Sequence, residues 1–559
     1  MVINMVKVNF ISEGIITTIN KGVTILEAAR KAGVMIEAPC NAAGTCGKCR
    51  VKVANLDESC VVSIEGRHHL KPEESQAGYV LACQAQVYED IEVLTENTVS
   101  HNKTLKIVSE GKRFSYAIKS YITKCFDGEK TKVFAGKIVI GEEHGDTSLQ
   151  AYGLSVDIGT TTLVTALIDL LTGEEITSVS ALNPQSLQAQ DVLTRIKFAS
   201  TPEGLEILYN AITDELNRMI EDVSKAVKIN PKHIYEVVYS GNTAMIHLAC
   251  NISPATLGKY PYTPQIFGGN NIPASMLNVS PFGQIYLPPV ISAYVGPDIA
   301  SGILASQLDK KNGITLFIDI GTNGEMVIAK DGKLTATSTA AGPAFEGMNI
   351  AYGMRAGEGA LEYFKIDDSG ELITHTIGDV KTTGICGSGL LDIVGELVKA
   401  QVISASGRFI APEKGEYSEN LKKQMIIKDG KLSFEATPQV FLTPKDIREV
   451  QLAKGAIRAG IEMLLLSLNI KAEEVAMVEI AGSFGFHLRE ESLLNIGLLP
   501  KELKGKVSFV GNTSKTGGEA FLLNTDFRES MNSLVKEIEA IELANQKGFD
   551  KVFIRELSF

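Results

Sequence analysis

Residues 153–169 read GLSVDIGTTTLVTALID, and this stretch decides the fold. Leu154, Val156 and Ile158 are apolar on alternate positions, the period of a β-strand. Asp157 stands at the strand's end, and Gly159 allows a sharp turn. Thr160, Thr161 and Thr162 then gather hydroxyls and backbone N–H groups around one point. Leu163, Val164 and residues 166–168 lead the chain away as a second strand. Residues 316–329, LFIDIGTNGEMVIA, repeat the device: strand, Asp319-Ile320-Gly321-Thr322, strand. A strand pair needs only a turn, whereas an acid at the strand end and a Gly-Thr turn appear here twice. N–H groups bunched in a glycine turn form an anion nest. An Asp beside it holds Mg²⁺ through water, because hard cations take oxygen ligands. Either copy alone is equally an ordinary hairpin; the pair reads as a phosphate site built from two halves.

The pair resembles the two phosphate loops of the acetate kinase, sugar kinase, heat-shock chaperone and actin superfamily. That resemblance implies two related lobes facing each other across ATP. It also implies a third element, touching the adenosine, late in the chain. Residues 478–486, VEIAGSFGF, run an apolar strand into a small-residue turn and fit that place. Gly159, Thr160, Thr161, Gly321 and Thr322 are then expected at the phosphates, and Gly482, Ser483 and Gly485 under the adenosine. Within 294–307, YVGPDIASGILASQ, Asp298 fits the superfamily's acid near Mg²⁺ and the attacking water. An acid serving a helix start is the alternative for Asp298.

Upstream, residues 6–11 and 15–19 are strand candidates joined by Ser12-Glu13-Gly14. Thr24 to Glu27 has the form of a capping box opening a helix, and Gly33 ends it. A cysteine loop follows, APCNAAGTCGKCR, with Cys40, Cys46 and Cys49, and Cys83 comes later in VLACQ. Strand, strand, helix and cysteine loop is the order of a β-grasp ferredoxin. Four thiolates at this spacing suit a [2Fe–2S] cluster, three from one loop and one from a distant strand. Gly44 and Gly47 leave N–H groups free to reach the sulfurs. A zinc site would more often show two C-x₂-C knuckles, and only Cys46 and Cys49 have that spacing. Cys60, Cys125, Cys250 and Cys386 fall outside the pattern and read as small core residues.

Length and composition bound the rest. A chain of 559 residues accommodates several domains. Its net charge of −12 argues against nucleic acid or an anionic membrane as the main partner. No stretch approaches the roughly 20 apolar residues of a membrane span, and no signal-peptide pattern opens the chain, so a cytoplasmic location is expected. Eight cysteines in such a chain suggest metal or catalysis over a disulfide framework.

The organisation expected is α/β and multidomain. A ferredoxin-type domain spans 1–95, a linker with a small connecting module 96–150, and a two-lobed actin-like ATPase domain 151–559. Residues 114–122 and 132–140 are strand candidates in the connecting module. Residues 203–227 and 444–468 read as long helices, and 237–243 as a strand entering a polar turn. His247 has no second histidine at helical spacing and reads as a core residue; His68-His69 reads as a solvated turn. Residues 385–397, ICGSGLLDIVGEL, resemble the superfamily's second inter-lobe crossing helix. Gly387, Ser388 and Gly389 are hinge candidates, though simple packing explains them as well.

Joined in one chain, the cysteine set, DIGTTT (157–162), GNTAMIHL (241–248), DIGTNGE (319–325), AGPAFEGM (341–348), CGSGLLD (386–392) and AGSFG (481–485) resemble the reductive activators of corrinoid proteins. The resemblance implies an ATP-hydrolysing iron–sulfur reductase with ATP, Mg²⁺ and a [2Fe–2S] cluster as cofactors. Its partners would be a corrinoid-containing methyl-transfer protein, whose Co(II) it returns to Co(I), and a low-potential electron donor. Self-association as a homodimer is compatible with this reading. Two other functions fit parts of the chain. One is an ATP-coupled electron donor to an enzyme such as a 2-hydroxyacyl-CoA dehydratase. The other is a non-enzymatic, nucleotide-gated scaffold with a redox sensor.

Overall fold

The computed structural model describes residues 5–36, 38, 40, 42–44, 47–54, 61–63, 70, 72–95, 110–482 and 488–559. The chain divides into two compact units, residues 1–104 with 185–190, and residues 105–184 with 191–559. Among the described residues no helix is long and apolar enough to cross a membrane.

In the smaller unit, strands Met5–Phe10 and Ile15–Asn20 pair antiparallel across a tight turn. Val6, Val8 and Phe10 alternate inward, as the period-2 pattern requires. Thr24 accepts from the Glu27 N–H, and the Glu27 carboxylate accepts from the Thr24 N–H, so both open donors at this helix start are met. Helix Ile25–Ala32 ends at Gly33, whose φ of 71° is the left-handed cap. The helix buries Ile25, Leu26, Ala28 and Ala29 in the core of a five-stranded sheet. Each large apolar side chain buried this way contributes roughly 1.5–3 kcal/mol. Strand Ile91–Leu94 returns parallel to the first strand, closing a β-grasp.

The larger unit contains the same sheet pattern twice. In the first half, Tyr152–Ile158, Thr162–Asp169 and Glu175–Leu182 form an antiparallel meander. Ile234–Gly241 adds parallel to the first strand's other side, and Gln284–Leu287 parallel to that. In the second half, Ile314–Ile320, Gly324–Lys330 and Lys333–Thr339 form the meander, and Met477–Ala481 and Val507–Gly511 are the added parallel strands. Asp157 and Asp319 occupy the same place in the two sheets, next to last in the first strand of each meander. This duplicated, two-lobed α/β architecture is the actin-like fold expected from the two hairpins.

Two helices lie in the core shared by the halves. Helix Pro297–Ser306 follows the last parallel strand of the first half, and helix Thr513–Leu523 that of the second. Ile299 and Ile303 of the one, and Phe521 and Leu522 of the other, share a core with Ile168 and Val238 of the first sheet and Phe317 and Val327 of the second. The helices touch closely because glycine stands at the contact: a Cβ on Gly517 would fall 2.0 Å from the Ser301 carbonyl oxygen. The crossing contact is therefore not made by residues 385–397. Helix Gly387–Lys399 sits inside the second half's own core with Leu390, Ile393 and Val394 buried. A Cβ on Gly389 would come 2.1 Å from the Leu361 carbonyl oxygen, so the small residues there serve packing on strand Ala360–Ile366.

The segment before the first hairpin also departs from its sequence pattern. No strand forms over 114–121. Lys112 N–H donates to Val510 O and Lys119 N–H to Leu523 O, laying this stretch along the last parallel strand and helix. Phe114 and Tyr116 pack on Phe527, so their alternation reflects a helix contact and not a sheet face. The strand expected over 132–140 is two strands, Lys130–Ala135 and Ile138–His144, divided by a turn at Gly136. Helices Pro202–Val227 and Pro444–Ser467 form where expected, each opened by a threonine cap and a proline in the first turn.

Candidate functional site

The two hairpin turns face one cleft. Each turn is tied by one short bond, Gly159 N–H to Thr162 O at 3.0 Å and Gly321 N–H to Asn323 O at 2.9 Å. A Cβ on Gly159 would lie 2.6 Å from the Thr162 oxygen, so the first turn closes only around glycine. Of the residues singled out in the sequence, Asp157, Gly159, Thr160, Thr161, Asp298, Asp319, Gly321, Thr322 and Gly482 all line this cleft. Ser483 and Gly485 lie outside the described residues.

Carboxylates crowd the cleft floor. Asp157 accepts from Asn512 Nδ2 and Ser514 Oγ, both at 2.8 Å. Burial raises its pKa against the pull of these two donors. Asp298 stands in the first turn of helix Pro297–Ser306 and accepts from the Ile299 N–H at 2.9 Å. Gly296 is the cap residue, and Asp298 meets a first-turn N–H of the helix while also lining the cleft. Burial, with the Asp157 charge adding to it, pushes Asp298 up to about 7. Burial and the charges of Asp298 and Asp157 push Asp319 up to about 8. Glu325 pairs directly opposite Asp319 in the second hairpin and is only 6% exposed. Burial and the charges of Asp298 and Asp319 raise it well above the usual range. Four acids that repel one another line this recessed site, but among the described residues no group of three is placed to hold a metal ion directly, so a divalent cation would be held there through water.

The hairpins also meet through their threonines. Thr322 donates to Glu346 Oε1, and the Thr161 and Thr322 hydroxyls lie 3.2 Å apart. Behind the first turn, the fully buried Arg195 donates to Thr160 O at 2.6 Å and holds the loop from beneath. Gly482 has φ 109°, and a Cβ there would stand 2.4 Å from Ile320 O and 3.0 Å from Asp319 Oδ1. The turn after strand Met477–Ala481 thus reaches the acid of the second hairpin. Glu325, Glu346, Asn512 and Ser514 were not foreseen as site residues. Glu325 had a signal, an acid facing an acid in an otherwise apolar strand; Asn512 and Ser514 had one in a polar Asn-Thr-Ser run after a strand.

In the smaller unit, Cys49 and Cys83 are buried with their sulfurs 3.2 Å apart. That exceeds a disulfide's ~2.05 Å. The Cys49 S–H, with smaller help from Gln84 and the Gly44 N–H, lowers the Cys83 thiol to about 7 despite burial and the nearby Cys40. A thiol eased toward thiolate, with two others beside it, has the chemistry of a metal-ligand set. Gln84 also donates to Ala42 O, clasping the cysteine loop. Cys46 and Cys60 lie outside the described residues. Cys125, Cys250 and Cys386 are free thiols; Cys250 and Cys386 are raised by burial. His247 is a core residue: Nδ1–H donates to Thr243 O and Nε2 accepts from the Gln265 and Ile266 N–H groups. His68-His69 lies outside the described residues.

Comparison with known proteins finds matches for both parts of the chain. Residues 9–88 match the 2Fe-2S iron-sulfur cluster binding domain. Residues 152–311 match the RACo middle region, and 313–559 the C-terminal domain of RACo, the ASKHA domain. Together these define an iron–sulfur protein joined to an ATP-binding fold of the kinase, chaperone and actin class. The chain is 33% identical over 421 residues to the corrinoid activation enzyme RamQ of Eubacterium limosum, covering 73% of this chain and 70% of that protein. It is 28% identical over 446 residues to the [Co(II) methylated amine-specific corrinoid protein] reductase of Methanosarcina barkeri, covering 73% and 77%. A solved structure, a reductive activator for corrinoid,iron-sulfur protein, superposes with a TM-score of 0.72 at 29% identity, over 99% of this chain and 98% of that one. The chain belongs to the family of corrinoid activation enzymes.

Proposed function

We propose that this protein uses ATP to reduce the Co(II) corrinoid of a methyl-transfer protein to Co(I), taking electrons one at a time from a low-potential donor. The observation that carries the reading is the set of acids from the two hairpins and helix Pro297–Ser306 converging on one cleft, in a chain that also gathers Cys49 and Cys83. When bound, a [2Fe–2S] cluster on Cys40, Cys46, Cys49 and Cys83 supplies one-electron transfer, at roughly −400 mV for a plant-type centre. Co(I) is a stronger reductant than that, so the transfer needs added driving force.

Nucleotide binding supplies it by differential affinity for two arrangements of the lobes. Asp157 and Asp319 would hold Mg²⁺ through water, and the cation would draw the phosphates to an otherwise repelling floor. Thr160, Thr161 and Thr322 bind phosphate oxygens. The Thr161–Thr322 contact must part to admit them, so ligand entry is coupled to the lobe spacing. Gly482, Ser483 and Gly485 lie under the adenosine, and Asp298 orients the attacking water, since phosphoryl transfer rests on positioning and charge. The division we propose is a ferredoxin domain over 1–95, a connecting segment over 96–150 and the ATPase domain over 151–559. The test is direct: purified protein, a reductant and candidate Co(II) corrinoid proteins are mixed with and without ATP, and the Co(I) absorption is followed.

A further inference from the structure

We propose that Arg355 binds the terminal phosphate of the nucleotide and is the contact that distinguishes ATP from ADP. The inference deepens the nucleotide reading of the cleft and rests on it.

Arg355 lies in the segment GMRAGEG, which the motif comparison above did not use. Its backbone is pinned at the two preceding residues. A Cβ on Gly353 would fall 1.9 Å from the Gly347 carbonyl oxygen, so the segment folds hard against the turn that carries Glu346. Met354 N–H donates to Ile385 O at 2.9 Å. The side chain lines the same cleft as Thr161, Thr322 and Glu346. There its Nε and Nη1 are buried and make no hydrogen bond. Buried donors nearly always have partners.

Glu346 is close enough to feel the Arg355 charge, yet takes no bond from it. Its Oε1 is taken by Thr322, and its Oε2 is also buried without a partner. Two opposite charges with open hydrogen-bonding atoms, in one cleft wall beside the hairpin threonines, leave a place for a group that accepts from the arginine and donates to the glutamate. A tetrahedral phosphate with its attendant water fits both demands. Arginine's planar fork suits a phosphate oxygen pair better than a lysine does. The adenosine is assigned to the strand end at Gly482, so the phosphate reaching beyond the hairpins toward Arg355 is the terminal one.

The experiment measures equilibrium binding of Mg²⁺ with a non-hydrolysable ATP analogue, and of Mg²⁺ with ADP, by the full-length protein and by its Arg355→Ala and Arg355→Lys variants. Arg355→Ala is expected to weaken the analogue roughly 10- to 100-fold, the loss of a charged hydrogen bond, and to leave ADP nearly unchanged. Arg355→Lys is expected to fall between, keeping the charge and losing the fork. Equal weakening of both nucleotides, or of neither, overturns the assignment while leaving the cleft a nucleotide site. If the unaltered protein binds neither nucleotide, the reading of the cleft itself fails. Should Arg355→Ala not fold, shown by its circular dichroism, Arg355→Lys decides by the same ratio.

Discussion

The smallest scale gives the sharpest tests. Asp319→Ala removes an acid from the cation site without touching the cysteine loop. It is expected to slow ATP-driven Co(II) reduction by about 10²-fold or more, the usual loss for a well-aligned group, while dye reduction of the iron–sulfur centre proceeds unchanged. Cys83→Ala is expected to abolish iron content and the reduced EPR signal, and Cys60→Ala to preserve both; equal loss from the two would contradict the ligand set. His247 offers a pH test. Burial lowers its pKa below the ordinary 6.5, so in the window just under pH 6.5 the unfolded chain binds a proton that the fold refuses. Its contribution is therefore present above that window and lost as pH falls through it. The midpoint of thermal unfolding should drop more between pH 7.5 and 5.5 for the unaltered protein than for His247→Gln. Asp157, Asp319 and the cysteines were legible in the sequence because each sits in a local pattern whose spacing carries the chemistry. Glu346 was not, and the polar run at Asn512 and Ser514 did not reveal its partner. Their place in the site comes from long-range folding, with Asn512 and Ser514 reaching Asp157 from a strand and helix far along the chain.

At the scale of elements, two glycines carry the argument. Gly517 lets helix Thr513–Leu523 touch the Ser301 carbonyl, and a methyl group there would collide with backbone. Gly517→Ala should cost roughly 1–3 kcal/mol, the range of an overpacked core, read from denaturant unfolding of the full-length protein. A result within experimental error of the parent would show that the two helices separate freely. Sequence patterning placed the strands of both hairpins and the helices Pro202–Val227 and Pro444–Ser467 well. Long amphipathic periods and proline-threonine starts are local signals, so they survive without knowledge of the fold. It misassigned the crossing helix and the strand over 114–122 for a common reason. Small residues in 385–389 and alternating apolar residues in 114–122 report that something packs closely, but not what. The partner of Gly389 is strand Ala360–Ile366, and that of Phe114 and Tyr116 is Phe527.

For the whole molecule, the packing of residues 110–150 decides where the chain can be cut. The Glu110 carbonyl accepts from Asn512 N–H, Lys112 N–H donates to strand Val507–Gly511, and Lys119 N–H donates to the end of helix Thr513–Leu523. Asn512 is one of the two donors to Asp157. A fragment of residues 105–559 should therefore bind nucleotide more stably than one of 151–559, with the difference seen as a lower unfolding temperature for the shorter piece. A fragment of residues 1–95 should retain the iron–sulfur centre. The order of motifs announces a ferredoxin-type fold and an actin-like fold, since the cysteine loop and the paired hairpins each carry a separate pattern. The docking of 110–150 was not legible, because its partners lie far along the chain: besides the backbone bonds, Lys112 pairs with Glu479 and Arg113 with Glu519. The central claim is that ATP drives an electron to cobalt. The measurement closest to it mixes the full-length protein, a low-potential reductant and a Co(II) corrinoid methyl-transfer protein, and records the Co(I) absorption with ATP, with ADP and with neither. Co(I) should accumulate only with ATP, and not with Asp319→Ala. Its appearance at the same rate without nucleotide would contradict the account.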